Sequence, residues 1–462
     1  MKQLWIVMGL LITLLGTSSM AQEKGNIYID VGEAKAKKSL LALPPFQYYG
    51  SASGDKNAIK YGQEMFATVK NDLLMSSLFT FIDTKAFLED TTKTGLKPAP
   101  QQPNGFSFSK WTPLGTEFLI RAGYKIIDDK IDLEAYLYYV PQAKLIFGKS
   151  YAGPPSVLRK LAHTMTNDVV QALTGKKGFF NTKFVLSSNR DGNYKEIYTM
   201  DWDGKNLRRI TEFKTISISP AWSHDGNKIA FTSFAYHPKA KTRNADLFSY
   251  DFKTGKTLLL SHRKGINSGA NFHPKGKYLY FTLSKRGSPD IFRFDLASEA
   301  LLPITNGPTR AMNVEPDVSP DGSQIAFSSD RSGNPMIYVM PIAGGKAKRI
   351  TLAGKYNASP SWSPDGKYIA FAGYDKSHFD IFTMKPDGTE LKRLTSAKKP
   401  NGKWANNEAP SWSPDGRRIV FTSNRSGTNQ VYIINPDGSD ERRITFDRYN
   451  YEKPKWSPYL ED

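Results

Sequence analysis

The sequence predicts a mixed α/β domain (an α+β N-terminal part) followed by an all-β six-bladed β-propeller. Three observations carry this: a segment resembling Trp-Ser-Pro-Asp-Gly occurs six times after residue 183, Asp-Gly or Gly-Gly turns separate alternating strands within each repeat, and residues 22–175 mix helical and strand patterns instead.

The repeat is read from its anchors. Trp222-Ser-His-Asp-Gly226, Phe272-His-Pro-Lys-Gly276, Val318-Ser-Pro-Asp-Gly322, Trp362-Ser-Pro-Asp-Gly366, Trp412-Ser-Pro-Asp-Gly416 and Trp456-Ser-Pro-Tyr459 follow one another at steps of 50, 46, 44, 50 and 44 residues. That period suits a four-stranded blade. After each full anchor comes an alternating strand such as Gln324–Ser329 or Arg418–Ser423, then a second such as Asp380–Met384 or Gln430–Ile434. A turn follows at Asp387-Gly388, Gly344-Gly345 or Asp437-Gly438, and a short third strand such as Lys392–Thr395 or Arg442–Thr445 ends the unit. Asp-Gly between alternating apolar runs marks a hairpin, because these turns need positive φ.

The ends of the repeat region predict closure. Residues 183–211 supply three strands with no anchor ahead of them, and Trp456-Ser-Pro is an anchor with no three strands behind it. Six anchors match six triplets only if the C-terminal strand pairs with the N-terminal triplet and closes the first blade, which removes two exposed sheet edges.

Upstream, strands are predicted at Asn26–Asp30, Ser39–Leu43, Phe118–Arg121 and Ile131–Tyr136, and helices at Ile59–Leu74 and Ser156–Leu173 with apolar residues on one face. Lys93–Pro113, rich in proline, reads as an exposed loop, and 176–182 as a short linker between domains 22–175 and 183–462. At the start, Lys2, the apolar run Leu4–Leu15 and Ser19-Met20-Ala21 have the form of a secretory signal, residues 1–21, with a mature chain from Gln22. Twelve apolar residues are too few to span a bilayer, where about 20 are needed. An exported, non-membrane-spanning chain is expected, working as a monomer.

The 462 residues carry a net charge of +19, most of it on the repeat region, and no cysteine. Disulfides, thiol catalysis and cysteine metal sites are excluded. Export argues against nucleic acid as the partner of the basic surface, and leaves anionic membrane surfaces, acidic partners or a merely solvated face. No metal-site spacing joins the six histidines, and there is no nucleophile elbow or phosphate loop. Asp225, Asp321, Asp365 and Asp415 each precede Gly in a turn, where Asp accepts local backbone hydrogen bonds, and the anchor tryptophans read as packing between blades. No cofactor, metal or catalytic residue is expected, and a protein-binding role is expected in place of an enzymatic one. A gating propeller of a peptidase-like enzyme and a carbohydrate- or peptidoglycan-binding propeller are the alternatives; the second would use mouth aromatics such as Tyr356, Trp404, Tyr449 and Tyr451.

Taken together, these features resemble the TolB family. The residues that carry the resemblance are Leu173-Thr-Gly-Lys-Lys-Gly-Phe-Phe-Asn-Thr182 at the joint, Asp72-Leu73 with Ser77-Leu-Phe79, Trp111 with Leu114-Gly115, Ala162-His163 with Asp168, and Trp456-Ser-Pro-Tyr-Leu460. The second anchor and Val318 depart from the tryptophan pattern. The resemblance implies a periplasmic component of the Tol–Pal envelope system, supporting outer-membrane integrity and cell division. It implies binding of a Pal-type lipoprotein through the propeller, and of a TolA-type inner-membrane protein through the mature N-terminus: Gln22, Glu23, Lys24, Gly25 and Asn26.

For the lipoprotein, the expected site is the propeller mouth formed by the loops that enter each inner strand. Asn267, Asn313, Asn357 and Asn407 recur five residues before their anchors, Glu315 and Glu408 lie in the same stretches, and Arg310, Lys403 and Arg448 rim them. Polar side chains on a rigid ring suit recognition of a protein loop, with basic rim residues steering an acidic partner. Turn capping by the asparagines is the simpler alternative.

Overall fold

The structure, a computed structural model, describes residues 38–50, 56–306 and 310–460. The signal at 1–21, the arm at Gln22–Asn26 and the strand expected at Asn26–Asp30 lie outside these residues.

In the first domain β1 (Ser39–Ala42) runs parallel between β3 (Phe79–Phe81) and β4 (Phe118–Ile127), with β2 (Gln47–Tyr48) also on β4. The ten-residue strands β4, β5 (Lys130–Tyr139) and β6 (Lys144–Gly153) then form an antiparallel meander. Helices α1 (Lys56–Met75) and α2 (Leu158–Thr174) cover one face. Their spacing explains why: Met65, Val69 and Leu73 on α1, and Ala162, Met165, Val169 and Leu173 on α2, form single stripes that bury against Ile120, Leu133, Ala135 and Leu137. Sequence reasoning found both helices and underestimated the sheet, since β6 is mostly solvent-facing and shows no apolar alternation.

The segment 93–113 is not the exposed loop expected of it. Phe106 and Trp111 are fully buried on the other face of the sheet with Leu119 and Tyr138. Buried Arg121 holds the segment by donating to the carbonyls of Thr94 (2.6 Å) and Gly95 (3.0 Å) and pairing with Glu89. Proline density had signalled irregular backbone, but its aromatics supply a second small core.

Six four-stranded antiparallel sheets complete the chain. Tyr451–Trp456 is the inner strand of the first blade, antiparallel to Lys183–Ser188, so the last strand does close the ring. The inner strands of the second to sixth blades are Ser217–Trp222, Asn267–Phe272, Asn313–Val318, Tyr356–Trp362 and Asn407–Trp412.

The anchors act between blades. The indole N–H groups of Trp222, Trp362 and Trp412 donate to the Lys455, Asp317 and Ser361 carbonyls of the preceding inner strand, at 3.0–3.2 Å. Where Val318 replaces tryptophan, Asn271 makes the link, accepting from Val318 N and donating to Asp317. In the anchor turns, Ser223, Ser319, Ser363 and Ser413 donate to Asp225, Asp321, Asp365 and Asp415 at 2.5–2.6 Å, and each Asp also accepts the N–H two residues on. One hairpin glycine shows why the outer turns are Asp-Gly: Gly388 has φ +95°, and a Cβ there would lie 2.9 Å from the Ile350 carbonyl of the neighbouring blade.

The joint between domains is packed. Phe179 and Phe180 are buried with Trp202 and Trp456 in edge-to-face contacts. Arg418 of the sixth blade donates to the Met75 carbonyl at the end of α1 and to Ser77 Oγ (2.7 Å), and Arg159 of α2 pairs with Asp203 of the first blade.

Candidate partner-binding site

Every inner strand carries the same irregularity. Its register against the next strand slips at Ser219, Gly269, Glu315, Ser359, Ala409 and Lys453, all with φ between 48° and 62°. A bulge of this kind bends the strand and re-aims one side chain. Here it turns the six positions to the central channel.

Two of the six carry charge, and they come from facing blades. Lys453 Nζ of the first blade lies 2.9 Å from Glu315 Oε1 of the fourth, while Glu315 Oε2 accepts from Ser359 N (2.8 Å) and Ser359 Oγ (3.1 Å). Desolvation pushes the Glu315 carboxyl up, but Lys453 and the Ser359 donors outweigh it and hold it at about 2. Two residues deeper, Asp317 accepts from Asn271 Nδ2 and Trp362 N, both at 2.7 Å. There desolvation prevails over Lys455 and these donors, and the carboxyl is raised to about 6.

Above this ion pair the channel opens into a cavity of about 800 Å³, lined by residues of the fourth, fifth, sixth and first blades. Tyr356, Tyr374 and Phe379 wall one side, with Phe379 edge-on to both tyrosines. Tyr374 and Phe379 reach this position because the fifth blade has a tight hairpin: its strands Ile369–Asp375 and His378–Met384 pair as far as Asp375 with His378. Sequence reasoning had singled out Tyr356 and missed Tyr374 and Phe379; the closely spaced Tyr374-Asp-Lys-Ser-His-Phe379 was the available signal. Of the other aromatics considered, Trp404 stacks on His378 with ring centroids 4.6 Å apart, and Tyr451 is buried.

The site residues expected from sequence divide into two groups. Arg310, Lys403, Glu408 and Arg448 are exposed on the mouth side, as is Lys355. The asparagines are not: Asn267, Asn313, Asn357 and Asn407 are each 0–3% exposed. Asn313 and Asn407 donate to Asp290 and Asp380 at 2.9 and 2.8 Å, Asn357 donates to the Ala353 carbonyl (2.9 Å), and Asn267 bonds its own entry loop at Arg263 and Gly265. They fasten the entry loops from below, because a buried amide must find partners and the adjacent backbone supplies them. Glu315 is likewise engaged within the ring. One position earlier, four blades place an apolar residue in solvent: Ile216, Ile266, Met312 and Tyr356, 37–47% exposed.

These features define a two-domain propeller scaffold whose open mouth combines a central cavity, exposed apolar rim positions and basic residues. Among the described residues no helix is long and apolar enough to cross a membrane. Family models place the chain more closely: the TolB amino-terminal domain matches residues 27–146, and the TolB beta propeller domain matches 170–403 and 397–461. The chain belongs to the TolB family, whose curated members include Tol–Pal system proteins. It is 31% identical over 63% of its length to the Tol-Pal system protein TolB of Desulfosudis oleivorans, and 31% over 72% to a protein TolB homolog of Chlorobium luteolum. The matched stretches span 62% and 70% of those relatives. The crystal structure of TolB from Acinetobacter baumannii shares the fold, with a TM-score of 0.74 at 23% identity, covering 94% of this chain and all of that one.

Proposed function

We propose that this protein is a non-catalytic, monomeric periplasmic component of a Tol–Pal system. In this reading its propeller mouth binds a Pal-type lipoprotein and the segment Gln22–Asn26 engages a TolA-type inner-membrane protein, supporting outer-membrane integrity and cell division. Family membership supports the system and the partner types. The observation that supports this reading is the set Ile216, Ile266, Met312 and Tyr356, exposed at one equivalent position in four blades, with Tyr356 also lining the mouth cavity. Large apolar side chains exposed on an otherwise polar surface mark interaction sites, and Arg310, Lys403 and Arg448, exposed on the entry loops of the fourth, sixth and first blades, would steer an acidic partner. Glu408 belongs to this surface, while Asn267, Asn313, Asn357, Asn407 and Glu315 hold its shape.

Calorimetric titration of the mature chain with the soluble domain of the lipoprotein from the same genome tests the reading. Ile266→Asp combined with Met312→Asp is expected to weaken binding by about 1–3 kcal/mol with the melting temperature unchanged. Full binding in that variant, together with loss on His224→Asp at the opposite mouth, would place the site elsewhere. For the arm, deletion of 22–26 is expected to abolish capture of the TolA-type protein while leaving lipoprotein binding intact; capture that persists would refute this role.

A further inference from the structure

The mouth cavity has a specific chemical asymmetry. Three carboxylates line it, and two are neutralised: Glu315 by Lys453 and Glu452 by Lys195, 2.6 Å away. Among the described residues Glu408 forms no ion pair and no side-chain hydrogen bond, Lys453 being engaged at 2.9 Å by Glu315, although Glu408 projects into the same space. Its surroundings desolvate it and, with Glu452 and Glu315 close by, hold its carboxyl above the ordinary range in spite of Lys453. Beside it stand the rings of Tyr356, Tyr374 and Phe379. Lys355 is the other basic residue on the lining, and it is exposed at the lip. An unneutralised carboxylate beside aromatic faces suits an organic cation, through charge at one end and ring contact along the stem.

We propose that this cavity receives a lysine or arginine side chain of the protein partner, its cation at Glu408 and its stem against Tyr356 and Phe379. The inference rests on the mouth being the partner site. It also makes the face selective: Arg310, Lys403 and Arg448 outside the cavity favour acidic surface, while the cavity favours a cation. The complementary partner therefore presents one basic tip within an acidic surround, a pattern that rejects partners of uniform charge.

The test uses the full mature chain, the soluble domain of the Pal-type lipoprotein, and the variants Glu408→Gln and Glu408→Lys. Neither variant removes an internal hydrogen bond, so both are expected to fold, with melting curves as the check. Affinity is expected to fall about tenfold in Glu408→Gln and about a hundredfold or more in Glu408→Lys, in keeping with close interfacial charge pairs. Unchanged affinity in both variants would overturn this inference and leave the lipoprotein reading standing. If the wild-type chain does not bind the lipoprotein, that reading fails instead. The cavity is then judged with acetyl-arginine-amide against acetyl-citrulline-amide, its neutral isostere, by chemical-shift titration. Preference for the arginine compound that disappears in Glu408→Gln supports the proposal, and equal or absent response to the two compounds overturns it.

Discussion

Lys453 and Glu315 meet at the centre of the ring, Nζ to Oε1 at 2.9 Å, and join the first blade to the fourth, which faces it across the channel. Neighbouring blades are linked by anchor indoles and packed side chains, so this pair adds a tie of a different kind, across the diameter.

Removing one end of that tie leaves a charge in a site built for two. Glu315→Gln is expected to destabilise the propeller by about 1–2 kcal/mol, below the full cost of breaking a buried pair because the Lys453 side chain is 41% exposed and partly screened. Lys453→Met should cost a similar amount, and the double variant less than the two together. Denaturant unfolding of the four proteins gives the coupling; strict additivity would show that the pair contributes nothing.

The two channel carboxylates titrate in opposite senses. Glu315 is lowered from 4.5 to about 2, so its contribution is complete above pH 4.5 and is lost as pH falls toward 2. Asp317 is raised from 3.8 to about 6, so its ionisation opposes folding, and stability is gained as pH falls from 6 toward 4. Asp317→Asn should therefore reduce the slope of the stability profile between pH 4 and 6, leaving the shares of Asp72, also raised to about 6, and of the raised carboxyls of Asp246, Glu408 and Asp415. Glu315→Gln should reduce the slope below 4.5, leaving the share of carboxyls such as Asp321, also held at about 2. Unfolding free energies measured from pH 3 to 7 check both windows, and a wild-type slope retained in each variant would refute the assignment.

Ring closure depends on Tyr451–Trp456. Trp456 donates its indole N–H to Thr182 Oγ1 (2.8 Å) and packs edge-on against Phe184 and Phe179. Trp456→Ala is expected to cost about 3–5 kcal/mol. A chain ending at Asn450 should expose the edge of Lys183–Ser188 and aggregate; cooperative melting of that chain at the wild-type temperature in light-scattering and calorimetric scans would disprove closure.

Arg418 governs the joint between domains. Its guanidinium is buried and bonded to the Met75 carbonyl, Ser77 Oγ and Asp440. Arg418→Leu removes this donor from the Met75 carbonyl and Ser77 Oγ, while Asp440 keeps Arg442 and Ser77, and should cost about 2–4 kcal/mol. Protease cleavage within 176–182 should accelerate before either domain unfolds; an unchanged cleavage rate would show that the aromatic packing alone holds the joint.

Periodicity in the sequence determined the six blades, their hairpins, the closing strand and the two amphipathic helices. Each of these follows from local turn chemistry or from a spacing repeated along the chain. The anchor aspartates were legible as turn residues for the same reason: their acceptors and donors lie within a few positions. Tertiary structure decided which polar residues of the entry loops face solvent. Asn313 is buried on Asp290 while Arg310, three residues earlier, is exposed, and no pattern in the sequence separates them. It also decided that Phe106 and Trp111 belong to a core, and that Glu315 is held by a lysine 138 residues away. Local propensity speaks for neighbours in sequence, whereas burial and charge pairing are set by what the closed ring brings together in space.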